Sequence, residues 1–208
     1  LRTQHVIQEL YRLTKGKPIV TTDVGQHQKW AAQYILSDHG RDWISSGGAG
    51  TMGFGLPSAI GAQLGRPGET VIAIVGDGGF QMTMGELATI KNLKLPVKIL
   101  VVNNHYLGMV RQWQNLFYDN RYSGVDLEGN PDFVKLAQAY GIKGIRITRP
   151  ADVRRALQAA LDHPGPCLID AEVEHHDNVF PMIPAGAPLR NMILGPPKHA
   201  LEKPTGGT

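Results

Sequence analysis

The strongest constraint on the fold is a set of short, almost wholly apolar segments that alternate with helical patterns. The two most apolar segments run over residues 70–75 (TVIAIV) and 97–102 (VKILVV). Unbroken apolar runs of this length are typical of parallel strands that helices cover on both faces. Four further strands are predicted at 18–22, 42–46, 145–148 and 167–173.

Helical patterns occupy most of the segments between these strands. Helices are predicted at 1–15, 26–37, 56–64, 82–93, 132–140 and 151–162. Asn130 and Pro131 are expected to begin the helix at 132–140 as N-cap and first helical residue. Because strand–helix–strand crossovers are right-handed, the order predicts an α/β fold, a doubly wound parallel sheet sandwiched by helices. We expect this domain over 1–178 and a Pro- and Gly-rich tail or lid over 179–208.

Composition excludes several classes of function. The net charge is +3 with scattered Lys and Arg, which argues against a nucleic-acid partner. No run of about 18 apolar residues occurs, so we expect no membrane segment, and no secretory signal opens the chain. A single cysteine, Cys167, allows neither a disulfide framework nor a cysteine zinc site. A cytoplasmic protein is therefore expected.

Polar side chains follow the two most apolar strands. Asp77 lies between Gly76 and Gly78, and the pair Asn103-Asn104 ends the next strand. Taken separately, each motif is most simply a turn. Taken together, they follow consecutive strands, and ligands bind where the carboxyl ends of parallel strands meet. Carboxylate and amide oxygens suit Mg²⁺, which substrate phosphates usually complete, so a ligand with a diphosphate is predicted.

These residues and four longer stretches resemble a known family. Gly76-Asp77-Gly78, then 24 residues, then Asn103-Asn104 resembles the thiamine diphosphate motif. The other stretches are TTDVGQHQKWAAQ at 21–33, SGGAGTMGFGLPSAIGAQ at 46–63, NNHYLGMVRQWQ at 103–114 and VFPMIPAGA at 179–187. Together they resemble the carboxy-terminal cofactor domain of the acetohydroxyacid (acetolactate) synthase large subunit, over essentially the whole chain.

The resemblance implies a transferase of branched-chain amino-acid biosynthesis. Such an enzyme uses thiamine diphosphate and Mg²⁺ to condense two pyruvates to 2-acetolactate, or pyruvate with 2-ketobutyrate to 2-aceto-2-hydroxybutyrate. Two alternatives stay open within thiamine enzymes, glyoxylate carboligase and pyruvate oxidase. A flavodoxin-like or nicotinamide-binding module is disfavoured, because Gly25 stands alone after the first strand instead of within a G-x-G-x-x-G turn.

The resemblance also assigns site residues. The Mg²⁺ ligands are expected to be Asp77, the side chain of Asn104 and the backbone carbonyl of Tyr106. Contacts with the diphosphate are expected from Gln26, His27, Gly78, Gly79 and the loop Leu107-Gly108-Met109. The carbonyl of Gly50 is expected to accept a hydrogen bond from the aminopyrimidine, and Met52 to support the bend of the cofactor.

Three residues are expected at the substrate. The resemblance implies that Met109, Val110 and Trp113 line the acceptor pocket, where the Trp favours 2-ketobutyrate over pyruvate. Judged by residue type alone, His27 is equally explained by capping or packing, and Met52 and Trp113 by core filling.

The remaining parts of the family's active site are expected outside this chain. The glutamate that activates the cofactor belongs to an amino-terminal pyrimidine-binding domain, so no catalytic residue is assigned here. A middle domain holds most of the FAD site. A homodimer or higher oligomer and a small regulatory subunit are further implied partners. We therefore expect the chain to be inactive alone.

Overall fold

The sheet is built as the apolar segments predict. The computed structural model describes residues 1–37 and 39–196. Among these, six strands form one all-parallel sheet in the order β2-β1-β3-β4-β6-β5. The strands are Ile19–Thr22 (β1), Trp43–Ser45 (β2), Val71–Gly76 (β3), Lys98–Asn103 (β4), Lys143–Ile147 (β5) and Cys167–Glu172 (β6). The predicted α/β class is confirmed.

Helices cover both faces of the sheet. They are Thr3–Thr14 (α1), Gln26–Tyr34 (α2), Gly55–Gly65 (α3), Asp77–Thr83 (α4), Leu87–Leu93 (α5), Gly108–Phe117 (α6), Phe133–Ala139 (α7) and Val153–Leu161 (α8). Side chains of α1, α2 and α8 share one core with one face of the strands, and those of α3, α4, α5 and α7 share a second core with the other. Alternate residues of β3, such as Ile72 and Ala73, therefore belong to different cores. None of the helices in the described part of the chain is long and apolar enough to cross a membrane.

Several helix starts differ from the prediction by one or two residues, and α6 was not among the predicted helices. The helix expected at 82–93 is two helices, since α4 begins directly after β3 at Asp77 and a 3-10 turn at Met84–Glu86 separates it from α5. An acidic residue in the first turn favours such an early start. The expected N-cap Asn130 is wrong, because Asp132 caps α7 by accepting bonds from backbone N–H groups of its first turn.

The order of the strands places a crevice at one end of the sheet. Connections run in opposite directions from β1 and β3, which makes this neighbouring pair the switch point of the fold. The register between β3 and β4 pairs Gly76 with Val102. Asp77 and Asn104 therefore leave the sheet side by side, at its carboxyl edge.

The segment after residue 178 is anchored at its beginning. Val179 is buried, and its backbone N–H and carbonyl both bond to the side chain of Gln112 on α6. Met182 and Ile193 pair in an isolated antiparallel bridge. The predicted tail extends to residue 208, and its residues 197–208 lie outside the described part.

Candidate functional site

A cavity of about 190 Å³ opens at the carboxyl ends of β1, β3 and β4. All the residues predicted to contact the cofactor line it, namely Gln26, His27, Gly50, Met52, Asp77, Gly78, Gly79, Asn104, Tyr106, Leu107, Gly108 and Met109. The wall also contains residues without a predicted role: Val24, Gly25, Trp30, Gly76 and Val102. The fold thus brings separate segments of the sequence to one site.

Asp77 is the buried acid of this cavity. Only 1% of the residue is exposed, and its Oδ2 accepts a hydrogen bond of 2.8 Å from Nδ2 of Asn130. Burial raises the pKa of Asp77 to about 6, although the hydrogen bond from Asn130 opposes this rise. Electrostatic attraction to His105 also opposes the rise. A nearby cation stabilises a carboxylate, so the site favours binding of a metal ion.

Asn104 also lines the cavity and belongs to a chain of hydrogen-bonded side chains. Its Oδ1 accepts the backbone N–H of Tyr106 at 3.2 Å, and its Nδ2 donates to Oε1 of Gln26 at 3.4 Å. Gln26 in turn donates to Oε1 of Gln112 and to the backbone carbonyl of Asp177. These bonds fix the amide of Asn104 with its oxygen toward the backbone N–H of Tyr106.

His27 presents an unpaired nitrogen. The ring is buried and bonds to the backbone of Asp23, whereas its Nε2 has no hydrogen-bond partner among the described residues. Burial lowers the pKa of His27 to about 3, so the ring is neutral near pH 7. Buried polar atoms are usually paired. An unpaired one in a cavity wall is therefore suited to a polar ligand atom.

Glycines keep the walls of the cavity close together. A Cβ on Gly78 would lie 2.6 Å from Leu107 Cδ2, and one on Gly76 would lie 2.8 Å from the ring of His27. A Cβ on Gly108 would collide with Oε1 of Gln26 and would lie 2.7 Å from Nδ2 of Asn104. Real Cβ atoms do not approach so closely, so larger residues at these positions would displace side chains of the opposite wall.

The predicted substrate residues divide into two groups. Met109 and Val110, in the first turn of α6, line the cavity. Trp113 lies one turn further along the same helix, is half-buried, and packs against Phe117 with ring centroids 5.5 Å apart. It is not part of the cavity wall in the described structure.

Two polar residues at the site received no functional role from the sequence. Asp23 is fully buried after β1, and its Oδ1 accepts the backbone N–H groups of Val24 and Gly53, which holds the glycine loop. A polar residue directly after an apolar strand, the signal that marked Asp77, also marks Asp23. Asn130 had no such signal, since Asp77 is 53 positions away from it.

A family model covers most of this chain. The model described as "Thiamine pyrophosphate enzyme, C-terminal TPP binding domain" matches residues 23–171. The chain belongs to this family. The match begins at the end of β1 and ends within β6, so the TPP binding domain contains the whole crevice between them. Thiamine pyrophosphate and thiamine diphosphate (TPP) are the same cofactor.

The chain is also similar to several acetolactate synthases. The chain is 50% identical over 187 residues to "Acetolactate synthase isozyme 2 large subunit" of Escherichia coli (strain K12), covering 88% of this chain and 34% of the relative. It is 50% identical to "Acetolactate synthase large subunit" of Pyropia yezoensis, covering 90% and 31%. It is 49% identical to "Acetolactate synthase 1, chloroplastic" of Oryza sativa subsp. japonica, covering 92% and 31%. The chain spans about a third of the length of these relatives.

The cavity of the TPP binding domain fits the cofactor's diphosphate end. A buried carboxylate and a nearby amide oxygen form a donor set suited to a hard divalent cation. Gly78 and Gly79 lie in the first turn of α4, where backbone N–H groups have no backbone partner within the helix, and the N–H of Gly78 donates to the carboxylate of Asp77. Together with the unpaired Nε2 of His27, these groups offer both charge and hydrogen bonds to a phosphate and its metal.

Proposed function

We propose that this chain is the cofactor-binding part of an acetolactate synthase large subunit. The enzyme joins two pyruvates with loss of CO₂ to form 2-acetolactate, or pyruvate and 2-ketobutyrate to form 2-aceto-2-hydroxybutyrate. The observation that carries the proposal is the meeting of Asp77 and Asn104 at one glycine-walled cavity of a TPP binding domain. Identities of about 50% to acetolactate synthase subunits support this choice among thiamine enzymes.

The chain's own residues bind and orient the cofactor in this proposal. Asp77, the Asn104 side chain and the Tyr106 carbonyl hold Mg²⁺, while backbone N–H groups of Gly78 and Gly79 bind the diphosphate. When bound, thiamine diphosphate supplies the electron sink that lets a 2-ketoacid lose CO₂. Enforced proximity within a correctly held reactant can contribute several kcal/mol to catalysis, which gives this positioning its value.

The other end of the cofactor contacts the glycine loop and α6. The Gly50 carbonyl accepts a hydrogen bond from the aminopyrimidine, and Met52 supports the cofactor beneath its bend. Contact between Met52 and the Gly78 region supports this role, since Met52 Cε lies 3.7 Å from the position of a Cβ on Gly78. Met109, Val110 and Trp113 form the acceptor side, with Trp113 selecting 2-ketobutyrate.

Further partners belong to the same proposal. The activating glutamate and FAD are held by pyrimidine-binding and FAD domains of the same enzyme. The enzyme is a homodimer or larger, with a small regulatory subunit as a further partner. The division at residue 178 into a cofactor domain and a tail or lid, and the cytoplasmic location, remain predictions.

The Asp77→Ala substitution tests the proposal directly. Loss of the buried carboxylate removes a metal ligand, so we expect Mg²⁺-dependent binding of thiamine diphosphate by the assembled enzyme to be lost in titration calorimetry. Asp162→Ala is the matched control, since Asp162 is exposed and precedes β6 at the opposite end of the sheet. Unchanged cofactor affinity in the Asp77→Ala enzyme would refute the site.

The product identifies the reaction. Acetolactate formed from pyruvate alone, by the chain together with its partner domains, is the expected result. A different product from pyruvate, or turnover of glyoxylate alone, would replace the proposal with one of the other thiamine enzymes.

A further inference from the structure

Asn130 has an unusual set of contacts for a loop residue. It lies two positions before the N-cap of α7, but its side chain points to the strand ends instead of to the helix. Its Nδ2 donates to Oδ2 of Asp77 at 2.8 Å and to Oδ1 of Asn103 at 3.2 Å. Its Oδ1 accepts a hydrogen bond of 2.7 Å from Nε2 of Gln81. The amide therefore bonds to three side chains.

The contact with Gln81 sets the orientation of the Asn130 amide. Because Gln81 donates to Oδ1 of Asn130, the NH₂ group of Asn130 faces Asp77. Gln81 is itself held on α4, where its amide also donates to the backbone carbonyl of Asp77 at 3.4 Å. Gln81 therefore fixes the direction in which the NH₂ group of Asn130 donates to Asp77.

The hydrogen bonds of Asn130 continue through Asn103 into strands β6 and β5. Asn103 donates to Oδ1 of Asp170, which is buried on β6. Oδ2 of Asp170 accepts a hydrogen bond of 3.3 Å from Nε of Arg146 on β5. Arg146 also pairs with Asp132 and Glu172, so it links these hydrogen bonds to two further acids. Asn130 is supported by two rigid parts of the fold, the start of α4 and strands β4–β6.

We propose that Asn130 is a positioning residue for Asp77. It holds one carboxylate oxygen from the side of the sheet, and so keeps Asp77 in the orientation in which the acid meets a divalent cation at the cavity. This inference rests on the proposed role of Asp77 as a ligand of Mg²⁺. Partners that orient metal ligands typically contribute 10–100-fold to metal affinity.

The test compares Mg²⁺ titrations of the assembled enzyme in the presence of excess thiamine diphosphate. Asn130→Ala removes the donor, and Asn130→Leu removes it while keeping a similar side-chain volume, which covers the case in which the alanine variant does not fold. We expect the apparent Kd for Mg²⁺ to rise about 10–100-fold in both variants. Excess Mg²⁺ is expected to restore cofactor binding in them, but not in Asp77→Ala.

A neighbouring variant separates positioning from local folding. Asp132→Ala removes the cap of α7 and its ion pair with Arg146 but leaves the three direct contacts of the Asn130 side chain, so it is expected to lower the Tm while changing Mg²⁺ affinity by less than about twofold. Equal losses of affinity in Asp132→Ala and Asn130→Ala would overturn the inference. So would wild-type affinity in both Asn130 variants while Asp77→Ala abolishes binding. Unchanged binding in Asp77→Ala would instead refute the proposed function itself.

Discussion

Two buried carboxylates at the switch point show how position decides the role of a residue. Asp23 follows β1 and Asp77 follows the neighbouring strand β3, and burial raises the pKa of both. Oδ1 of Asp23 accepts backbone N–H groups of its own turn and of the glycine loop. Asp77 instead lines the cavity. One acid therefore holds the loop and the other is available to a ligand.

The raised pKa of Asp77 predicts a pH-dependent stability. An ordinary Asp has a pKa of 3.8, and in the fold the value is about 6, so the folded state binds the proton more tightly. The resulting stabilisation is fully present below pH 3.8 and is lost as the pH rises through 6. Without metal, Asp77→Asn should therefore raise the free energy of unfolding at pH 8 by up to about 3 kcal/mol.

Urea unfolding in the presence of a chelator measures this effect. The rise in the free energy of unfolding on Asp77→Asn should be large at pH 8 and small at pH 4. Adding Mg²⁺ with the cofactor should stabilise the wild type but not the variant. Equal stability of both proteins at pH 8 without metal would show that burial of the charge has little cost.

His27 provides a second prediction at this scale. Because burial lowers its pKa to about 3, the ring should stay neutral while the unfolded chain titrates near 6.5. The stability that this group contributes is present above pH 6.5 and is lost as the pH falls toward 3. In NMR, the Cε1–H shift of His27 should stay constant from pH 8 to pH 5. The same chain in urea is the control, and a midpoint near 6.5 in the folded protein would contradict the prediction.

At the scale of elements, one contact joins two loops of the site. A Cβ on Gly79, in the first turn of α4, would collide with Oδ2 of Asp23. Asp23 also binds the N–H of Gly53 in the loop before α3. The glycine loop and the first turn of α4 are thus packed against the same side chain, and their relative position is fixed by it.

Replacing Gly79 should separate these elements. Gly79→Ala is expected to lower the free energy of unfolding by about 1–3 kcal/mol through overpacking, and to weaken cofactor binding. Gly61→Ala is the control, because Gly61 is an exposed residue of α3 with no atom near a Cβ. The free energy of unfolding should rise by about 0.5–1 kcal/mol in Gly61→Ala. Similar unfolding free energies for the two variants would exclude a tight contact between Gly79 and Asp23.

For the whole molecule, the length of the relatives sets an expectation. The chain covers 31–34% of the three acetolactate synthase subunits described above. If the activating glutamate lies on another domain, the isolated 208-residue chain should form no acetolactate from pyruvate, Mg²⁺ and cofactor, as measured by a product assay. Addition of the partner domains should produce activity. Acetolactate formation by the chain alone would contradict this distribution of catalytic groups.

The strands and the general place of the site followed from local patterns. A strand such as 97–102 is marked by consecutive apolar residues, and its carboxyl end is marked by the polar pair that follows. The motif and resemblance then identified twelve residues that all reach one cavity. Helix starts were less predictable, since α4 begins at Asp77 immediately after β3, in a segment with two glycines that by itself indicates a turn.

What the sequence by itself determined is the alternation of strands and helices, the family and the residues at the strand ends. Only the tertiary structure decided which of those side chains meet. Asn130 bonds to an acid 53 positions away, and Asn104 to a glutamine 78 positions away. Short apolar and polar patterns reflect the burial of neighbouring residues. Contacts between distant side chains depend instead on strand order and register, which arise when the whole core packs.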